Sequence, residues 1–313
     1  MANSSSQYGN ESIQLLKDEQ RVRQKPAVIF GSDGLEGCEH AAFEILSNSI
    51  DEAREGHGSL VTLTYFEDKS IEVEDFGRGC PLDWNPNEKR WNWELVFCEL
   101  YAGGKYKNDD GGDYEYSLGL NGLGSCATQY ASEYMDVDVW RDGNHYGLHF
   151  KKGKVCGKKG KELLVEPADR KKTGTTIRWK PDLEVFTDID IPVSYFEEML
   201  HKQAVVNAGV TFRLRVQKGA KFETKEYLYE NGIEDYVKEF AGEAPLTAPV
   251  LIAAERRGRD REDLPDYKVK ISACFCFSKE TQVQEYYHNS SWLENGGSPE
   301  KAARSAFDAL FSI

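Results

Sequence analysis

The chain has 313 residues, 40% of them hydrophobic and 12% aromatic, a composition that supports packed cores and excludes global disorder. Lys and Arg number 39 against 53 Asp and Glu, so the net charge of −14 gives the chain as a whole no general attraction to a phosphate backbone. No apolar run approaches the roughly 18 residues of a membrane span. The polar start MANSSSQYGNES lacks a signal-peptide core, which predicts a cytoplasmic protein with no membrane partner.

In chain order, SIQLLKDEQRVRQ (12–24) reads as a short helix. GLEGCEHAAFEILSNSIDEAREG (34–56) reads as a long one, with its apolar side taken over positions 42, 43, 45, 46, 49, 50 and 53 and with Gly56 and Gly58 ending it. SLVTLTYFED and SIEVEDFG alternate as a strand hairpin, WNWELVFCELYAGG predicts a helix closing on a glycine pair, and a glycine-rich polar loop runs over 103–124. YMDVDVWRD, HYGLHFKKG and GTTIRWKP predict strands, followed by a helix at 194–208 and the strand VTFRLRV. The result is an α+β layer sandwich.

Composition shifts at QKGAKFETK (217–225), which predicts domains over 1–216 and 217–313. The second contains KEYLYE, a helix GIEDYVKEF, strands APVLIAAE, YKVKISACFCF and QVQEYYHN, and a capped helix SPEKAARSAFDALF. Seven cysteines form no CxxC pair and stand near no histidine at zinc spacing, so neither a metal cluster nor a disulfide framework is expected. Cys274 and Cys276 lie two apart on a predicted strand, which places both in an apolar core.

Four segments carry candidate chemistry. On the long helix, His40, Glu44, Asn48, Asp51 and Glu52 recur at three- and four-residue spacing along one polar stripe. A solvated face explains such a stripe as well as a functional one does. In the functional reading His40 steadies Glu44 as a general base, and the Asn48 amide oxygen ligates a hard cation such as Mg²⁺. In VEDFGRGCP (73–81), Asp75 ends a strand and meets glycines that let the backbone approach a ligand, which suits a carboxylate receiving an exocyclic amine. AGGKY (102–106) and GLNGLGSCATQYAS (119–132) supply glycines and a helix start that suit a phosphate chain, although neither a Walker loop nor a Rossmann fingerprint is present. In KKTGTTIRW (171–179), Thr175 opens a strand and offers a hydroxyl to a base.

Taken in order, FEILSNSIDEA, EDFGRGCP, AGGKY, GLNGLG and TGTTIRW resemble the motifs of the GHKL (Bergerat-fold) ATPases. They are most similar to the ATPase subunit of type IIA DNA topoisomerases, of the gyrase B or topoisomerase IV B kind. Likeness extends from LLKDEQRVRQKPAVIFG to ENGGSPEKAARSAFDAL, nearly the whole chain. The resemblance implies a GHKL α/β sandwich followed by an incomplete, ribosomal S5-like transducer domain. It also implies Mg²⁺-dependent ATP hydrolysis coupled to closure of a dimer gate for DNA strand passage.

Carried over, Glu44 would activate water with His40 beside it, and Asn48 would hold the single Mg²⁺. Asp75 would bind the adenine amine, with Thr175 and Gly79 alongside. Gly103, Gly104 and Lys105, with Gly119, Leu120, Asn121, Gly122, Leu123 and Gly124, would form the lid over the triphosphate. Tyr114 would stand near the nucleotide, and Tyr8 on the N-terminal arm would reach into the other protomer of a homodimer. Ile45, Val73, Cys80, Val96 and Ile177 would line the base pocket.

Departures from the family pattern are Ser47 for the usual Asp, Phe76 in place of the second residue of DDGRG, Asn121 for a lid His, and KPAVIFG for RPGMYIG. They touch pocket shape and leave the base, metal ligand and adenine carboxylate in place. The family's transducer continues past the GGTH-like helix to a QTK lysine that meets the γ-phosphate, and none of that is in this sequence. The resemblance therefore implies an N-terminal fragment, at most a weak ATPase alone, whose work with DNA and the topoisomerase A subunit belongs to the full-length protein. Alternatives are a nucleotide-gated clamp with little turnover and another GHKL branch, MutL-like or chaperone-like, against which the arm, GGKY and the late glycine-started helix argue. The basic stretch 151–180 reads as a solvated loop or a DNA contact.

Overall fold

A computed structural model describes residues 16–102, 123–259, 261–263 and 266–311. The first elements are α1 (Asp18–Gln24), α2 (Pro26–Phe30), α3 (Leu35–Arg54), β1 (Leu60–Tyr65), β2 (Ile71–Asp75), the small hairpin β3 (Trp84–Asn85) and β4 (Arg90–Trp91), and α4 (Asn92–Cys98). Next come α5 (Gly124–Tyr130), β5 (Ser132–Arg141), β6 (Asn144–Lys151), β7 (Lys154–Val155), β8 (Leu164–Pro167), β9 (Gly174–Pro181), α6 (Val193–Val206), β10 (Thr211–Lys218) and β11 (Lys221–Tyr227). The remainder is α7 (Ile233–Ala241), β12 (Val250–Gly258), β13 (Tyr267–Phe275), β14 (Tyr287–His288), β15 (Ser291–Trp292) and α8 (Gly297–Phe311).

Nine strands form one sheet in the order β11-β10-β1-β2-β9-β5-β6-β7, with β8 also on β6. All neighbours are antiparallel except β1 and β10. Alternation decides which face is covered: Ile71, Val73 and Asp75 of β2 point inward, and Glu72 and Glu74 point out. Helices α3, α5 and α6 cover the inward face, where Trp179, Phe97, Phe150, Phe186, Phe196 and Phe212 are fully buried. Burying one such side chain contributes about 2 to 3 kcal/mol, and the Trp179 indole also donates to the Thr128 carbonyl at 3.0 Å, tying α5 to the sheet.

Several expectations change. The first helix begins at Asp18, with 12–15 outside the described residues. The helix expected to close on a glycine pair stops at Cys98: Glu99 is extended and accepts from Arg90 at 2.8 Å, while the Tyr130 hydroxyl donates to the Cys98 carbonyl at 2.7 Å. The strand expected at 282–289 is reduced to β14, because Glu285 faces away from any ladder to accept from Tyr236 at 2.9 Å and Tyr287 at 2.8 Å. Cys274 and Cys276 are half-buried rather than in a core, since β12 and β13 form a two-stranded ladder with mostly exposed side chains. The division expected at 217 falls inside the β10–β11 hairpin, whose ladder runs on to Tyr227.

Arg23 anchors α1 to the end of the sheet. Its guanidinium donates to Asp182 at 2.7 Å, to Glu184 at 3.1 Å and to the Tyr130 carbonyl at 3.0 Å. The Asp182 side chain is only 6% exposed, so it cannot rehydrate when its partner goes. Arg23→Ala should therefore cost about 3 kcal/mol, read in urea unfolding as a lower midpoint at an unchanged slope.

Candidate functional site

The polar stripe of α3 is real, and it does not face bulk water alone. Its opposite side buries Cys38, Ala41, Ala42, Ile45, Leu46 and Ile50 against the sheet, which fixes the rotation of the helix. On the stripe, His40 Nε2 lies 3.3 Å from Glu44 Oε1, and His40 Nδ1 lies 3.1 Å from the Phe30 carbonyl oxygen. Both ring nitrogens thus meet acceptors, an arrangement that favours the imidazolium with both N–H groups donating. The hydrogen bond to Glu44 accordingly raises the His40 pKa, with burial opposing it.

One turn on, Asn48 Nδ2 donates to the Glu44 carbonyl at 3.0 Å and to Ser125 Oγ at 3.2 Å. Ser125 belongs to α5, whose first residue, Gly124, presses on Glu44: a Cβ at Gly124 would stand 2.0 Å from Glu44 Oε2, so any side chain there would push the carboxylate aside. Leu123 precedes it as the residue flanking the helix. Tyr8, Gly103, Gly104, Lys105, Tyr114, Gly119, Leu120, Asn121 and Gly122 lie outside the described residues.

Asp75 is 7% exposed and sits where α3, β2 and β9 converge. Oδ2 accepts from Ser49 Oγ at 2.8 Å, and Oδ1 accepts from the Gly77 N–H at 2.9 Å and the Thr175 N–H at 3.2 Å. Burial raises its pKa above the ordinary carboxylate value, and these three donors pull in the opposite direction without cancelling it. The Thr175 hydroxyl accepts the Cys80 N–H at 3.1 Å, which leaves its own O–H proton to donate. Gly79 has φ +80, and a Cβ there would meet the Trp140 carbonyl oxygen at 2.6 Å. Val73 and Ile177 are register partners on the inward face and Ile45 is buried with them in the core, while Cys80 and Val96 pack against its edge.

Four contributors were not assigned roles from sequence. Ser49 interrupts the apolar face of α3, and a serine among Ile45, Leu46 and Ile50 is the one sequence signal that could have marked it. Glu52 continues the stripe and takes a fork from Arg78, with Nη2 to Oε1 at 2.9 Å and Nε to Oε2 at 3.1 Å. Arg141 donates to the Gly79 carbonyl at 2.8 Å. Arg78 and Arg141, with His57, Phe76, Asp142 and Thr173, also border a cavity of about 510 Å³ beside the Asp75 turn, which none of the residues predicted for the site lines. Among the described residues no group of three or more His, Cys, Asp or Glu side chains could hold a metal ion. No helix among them is long and apolar enough to cross a membrane.

No family model matches the chain. The B-type type 2 topoisomerase protein of Aquifex aeolicus is 32% identical over 294 residues, 93% of this chain and 35% of that protein. The DNA gyrase B protein of Thermotoga maritima is 36% identical over 231 residues, 74% of this chain and 35% of that protein. The crystal structure of the 43K ATPase domain of Thermus thermophilus gyrase B in complex with an aminocoumarin matches with a TM-score of 0.72 at 28% identity, covering 94% of this chain and 72% of that one. Over most of its length the chain is homologous to the ATPase region of gyrase B and topoisomerase IV B proteins. Its fold is that of the GHKL unit followed by transducer elements. The chain spans about a third of the length of these curated gyrase B-type relatives, 35% in each case.

A raised Asp75 pKa means that the folded chain binds this proton more readily than the unfolded chain, so ionised Asp75 costs stability at neutral pH and acidification relieves that cost. Asp75→Asn, nearly isosteric, should therefore melt at or above the wild-type temperature at pH 7 and lose this part of the pH dependence. Calorimetric scans of both proteins from pH 5 to pH 8 check it, and a clear drop in melting temperature at pH 7 would contradict the assignment.

Proposed function

We propose that this chain is the ATP-binding and hydrolysing module of a type IIA topoisomerase. Mg-ATP binding would close a homodimer gate through the N-terminal arm, and DNA and the topoisomerase A subunit would engage the full-length cytoplasmic protein. We assign nucleotide binding to 1–216 and transducer elements to 217–313, with the β10–β11 hairpin bridging the two. The observation that carries this reading is the Asp75 carboxylate, buried and held by three donors within reach of a stripe that presents Glu44 and Asn48. A buried anion with fixed geometry is a costly feature that a purely structural turn has no need of, and it fits the recognition of an exocyclic amine.

In this mechanism Asp75 accepts the adenine amine and the Thr175 hydroxyl donates beside it, while Ile45, Val73 and Ile177 exclude water from the base. Glu44 takes the proton of the water that attacks the γ-phosphate. Gly124 brings the end of the lid against that carboxylate, so lid closure and positioning of the base are one event. Asn48 would hold Mg²⁺ through its amide oxygen, and a single protein ligand suits an ion that keeps most of its coordination in water and phosphate oxygens. The bound ion would neutralise phosphate charge.

Glu44→Ala should bind a non-hydrolysable ATP analogue as wild type does, while hydrolysis falls by about 10² to 10⁴. Unchanged turnover would move the base elsewhere. Asp75→Asn should weaken ATP binding by about 10- to 150-fold, the worth of a charged partner in a buried hydrogen bond. Titration calorimetry decides it, and wild-type affinity would remove the adenine assignment.

His40 supplies a pH test. Below its raised pKa the imidazolium holds Glu44 in an ion pair and ties its carboxylate away from the water; above it the ring is neutral and that hold loosens. Turnover should therefore rise with pH through a step lying above the ordinary histidine value of 6.5, and His40→Gln should abolish the step. A profile that keeps the step in the variant would assign it to another group.

A further inference from the structure

The overall negative charge hides a local reversal. Residues 151–172 hold nine Lys and Arg against three Asp and Glu, nine minus three leaving six positive charges, while the whole chain is −14. They form the outer edge of the nine-stranded sheet, where β7 and β8 flank β6 at its two ends. The tetrapeptide KKGK occurs twice there, at 151–154 and 158–161, and each copy is a two-residue hairpin turn. Lys151 pairs with Lys154, and Lys158 exchanges backbone hydrogen bonds with Lys161 at 2.9 and 3.0 Å.

Each turn places a lysine in the left-handed region, Lys152 at φ +49 and Lys159 at φ +50, ahead of glycines at +79 and +76. Asn or Asp would occupy that position at lower cost, since a lysine there strains its backbone. The turn itself does not select lysine twice. A third turn carries Arg170, Lys171 and Lys172, closed by the Lys171 N–H on Asp169 Oδ1 at 2.9 Å, with Lys172 Nζ 3.5 Å from the centre of the Trp140 ring.

Three of the nine cations are neutralised locally: Lys152 by Glu184, Lys158 by Asp138 at 2.8 Å and Lys159 by Glu166 at 2.6 Å. The other six, Lys151, Lys154, Lys161, Arg170, Lys171 and Lys172, are exposed and form no ion pair among the described residues. We propose that this edge is a binding surface for the phosphate backbone of duplex DNA. Its eight-residue central strand spans about 26 Å, the length of seven or eight base-pair steps along the helix axis at about 3.4 Å each, so the phosphates it meets are those on the facing side of both strands. The ammonium groups stand on rigid turns as point charges, which suits sequence-independent phosphate contact rather than base readout. The negative remainder of the chain does not cancel them at physiological salt, where charges beyond about 8 Å are screened. Duplex DNA is chosen among polyanions because of the topoisomerase reading above, whereas the surface itself follows from charge and geometry.

The test is fluorescence anisotropy of the whole chain with a labelled 20-base-pair duplex between 50 and 200 mM NaCl. Six phosphate contacts predict a log–log salt slope of about −5 and a loss of about 10³ in affinity over that range. The triple variant Lys154→Glu, Lys161→Glu, Lys171→Glu should bind at least about 10²-fold more weakly at 100 mM, with the slope reduced by about 3. Arg at the same three positions should preserve binding, which separates charge from folding. ATP affinity should be unchanged in every variant; if wild type binds DNA but not ATP, the ATPase reading fails and this surface stands. Equal affinity and slope in the Glu variant, no duplex binding by wild type, or binding to phosphatidylserine vesicles in its place would each overturn the proposal.

Discussion

The buried carboxylate of Asp75 is the constraint to which the surrounding structure answers. Left without donors, an ionised group 7% exposed would cost several kcal/mol. Its three donors come from separate places: Ser49 on α3, Gly77 in the turn after β2, and Thr175 on β9. Satisfying one side chain therefore sets the rotation of α3, the path of the glycine turn and the β2–β9 register together. Glycine is needed at 174 for the same reason, since at φ +133 a Cβ would stand 2.2 Å from the Asp75 carbonyl oxygen.

The sheet divides the molecule by charge as well as by hydrophobicity. Its inward face holds the aromatic core and, through α3 and α5, the polar stripe. Its outward face is a mosaic of opposite charges, such as Arg213 with Glu226 at 2.7 Å and Lys180 with Glu133 at 3.2 Å. Exposed pairs of this kind contribute little stability. They keep the open face water-compatible without making it attractive to either sign. Along the β6–β8 edge six cations form no ion pair among the described residues, and there the surplus is positive.

Much of the site was legible because α3 carries a strong period: apolar positions on one side oblige His40, Glu44, Asn48 and Glu52 onto the other. The strand ending at Asp75 and the glycines after it were equally plain. Ser49 was not, because a serine on an apolar face scores as a blemish until the carboxylate it serves is seen across the helix–sheet boundary. Arg78 and Glu52 were both visible in the sequence, yet nothing in a spacing of 26 residues announces a fork between them. Segment 281–286 alternates as a strand should, but its Glu285 is claimed by two tyrosine hydroxyls instead of a ladder. Cys274 and Cys276 likewise obey alternation on a sheet whose two strands leave most of their side chains exposed.

Local rules thus determined the type and order of the elements, the inward and outward residues of each strand, and the chemical character of the stripe, because periodicity and turn chemistry act between residues a few positions apart. Tertiary structure alone decided which groups meet across long separations: Ser49 with Asp75, Asn48 with Ser125, Gly124 against Glu44, and Arg23 with Asp182. The physical reason is that a buried polar group takes whatever donor the packing brings to it. Packing is set by the whole sheet and its helices, so no short stretch of sequence contains the information.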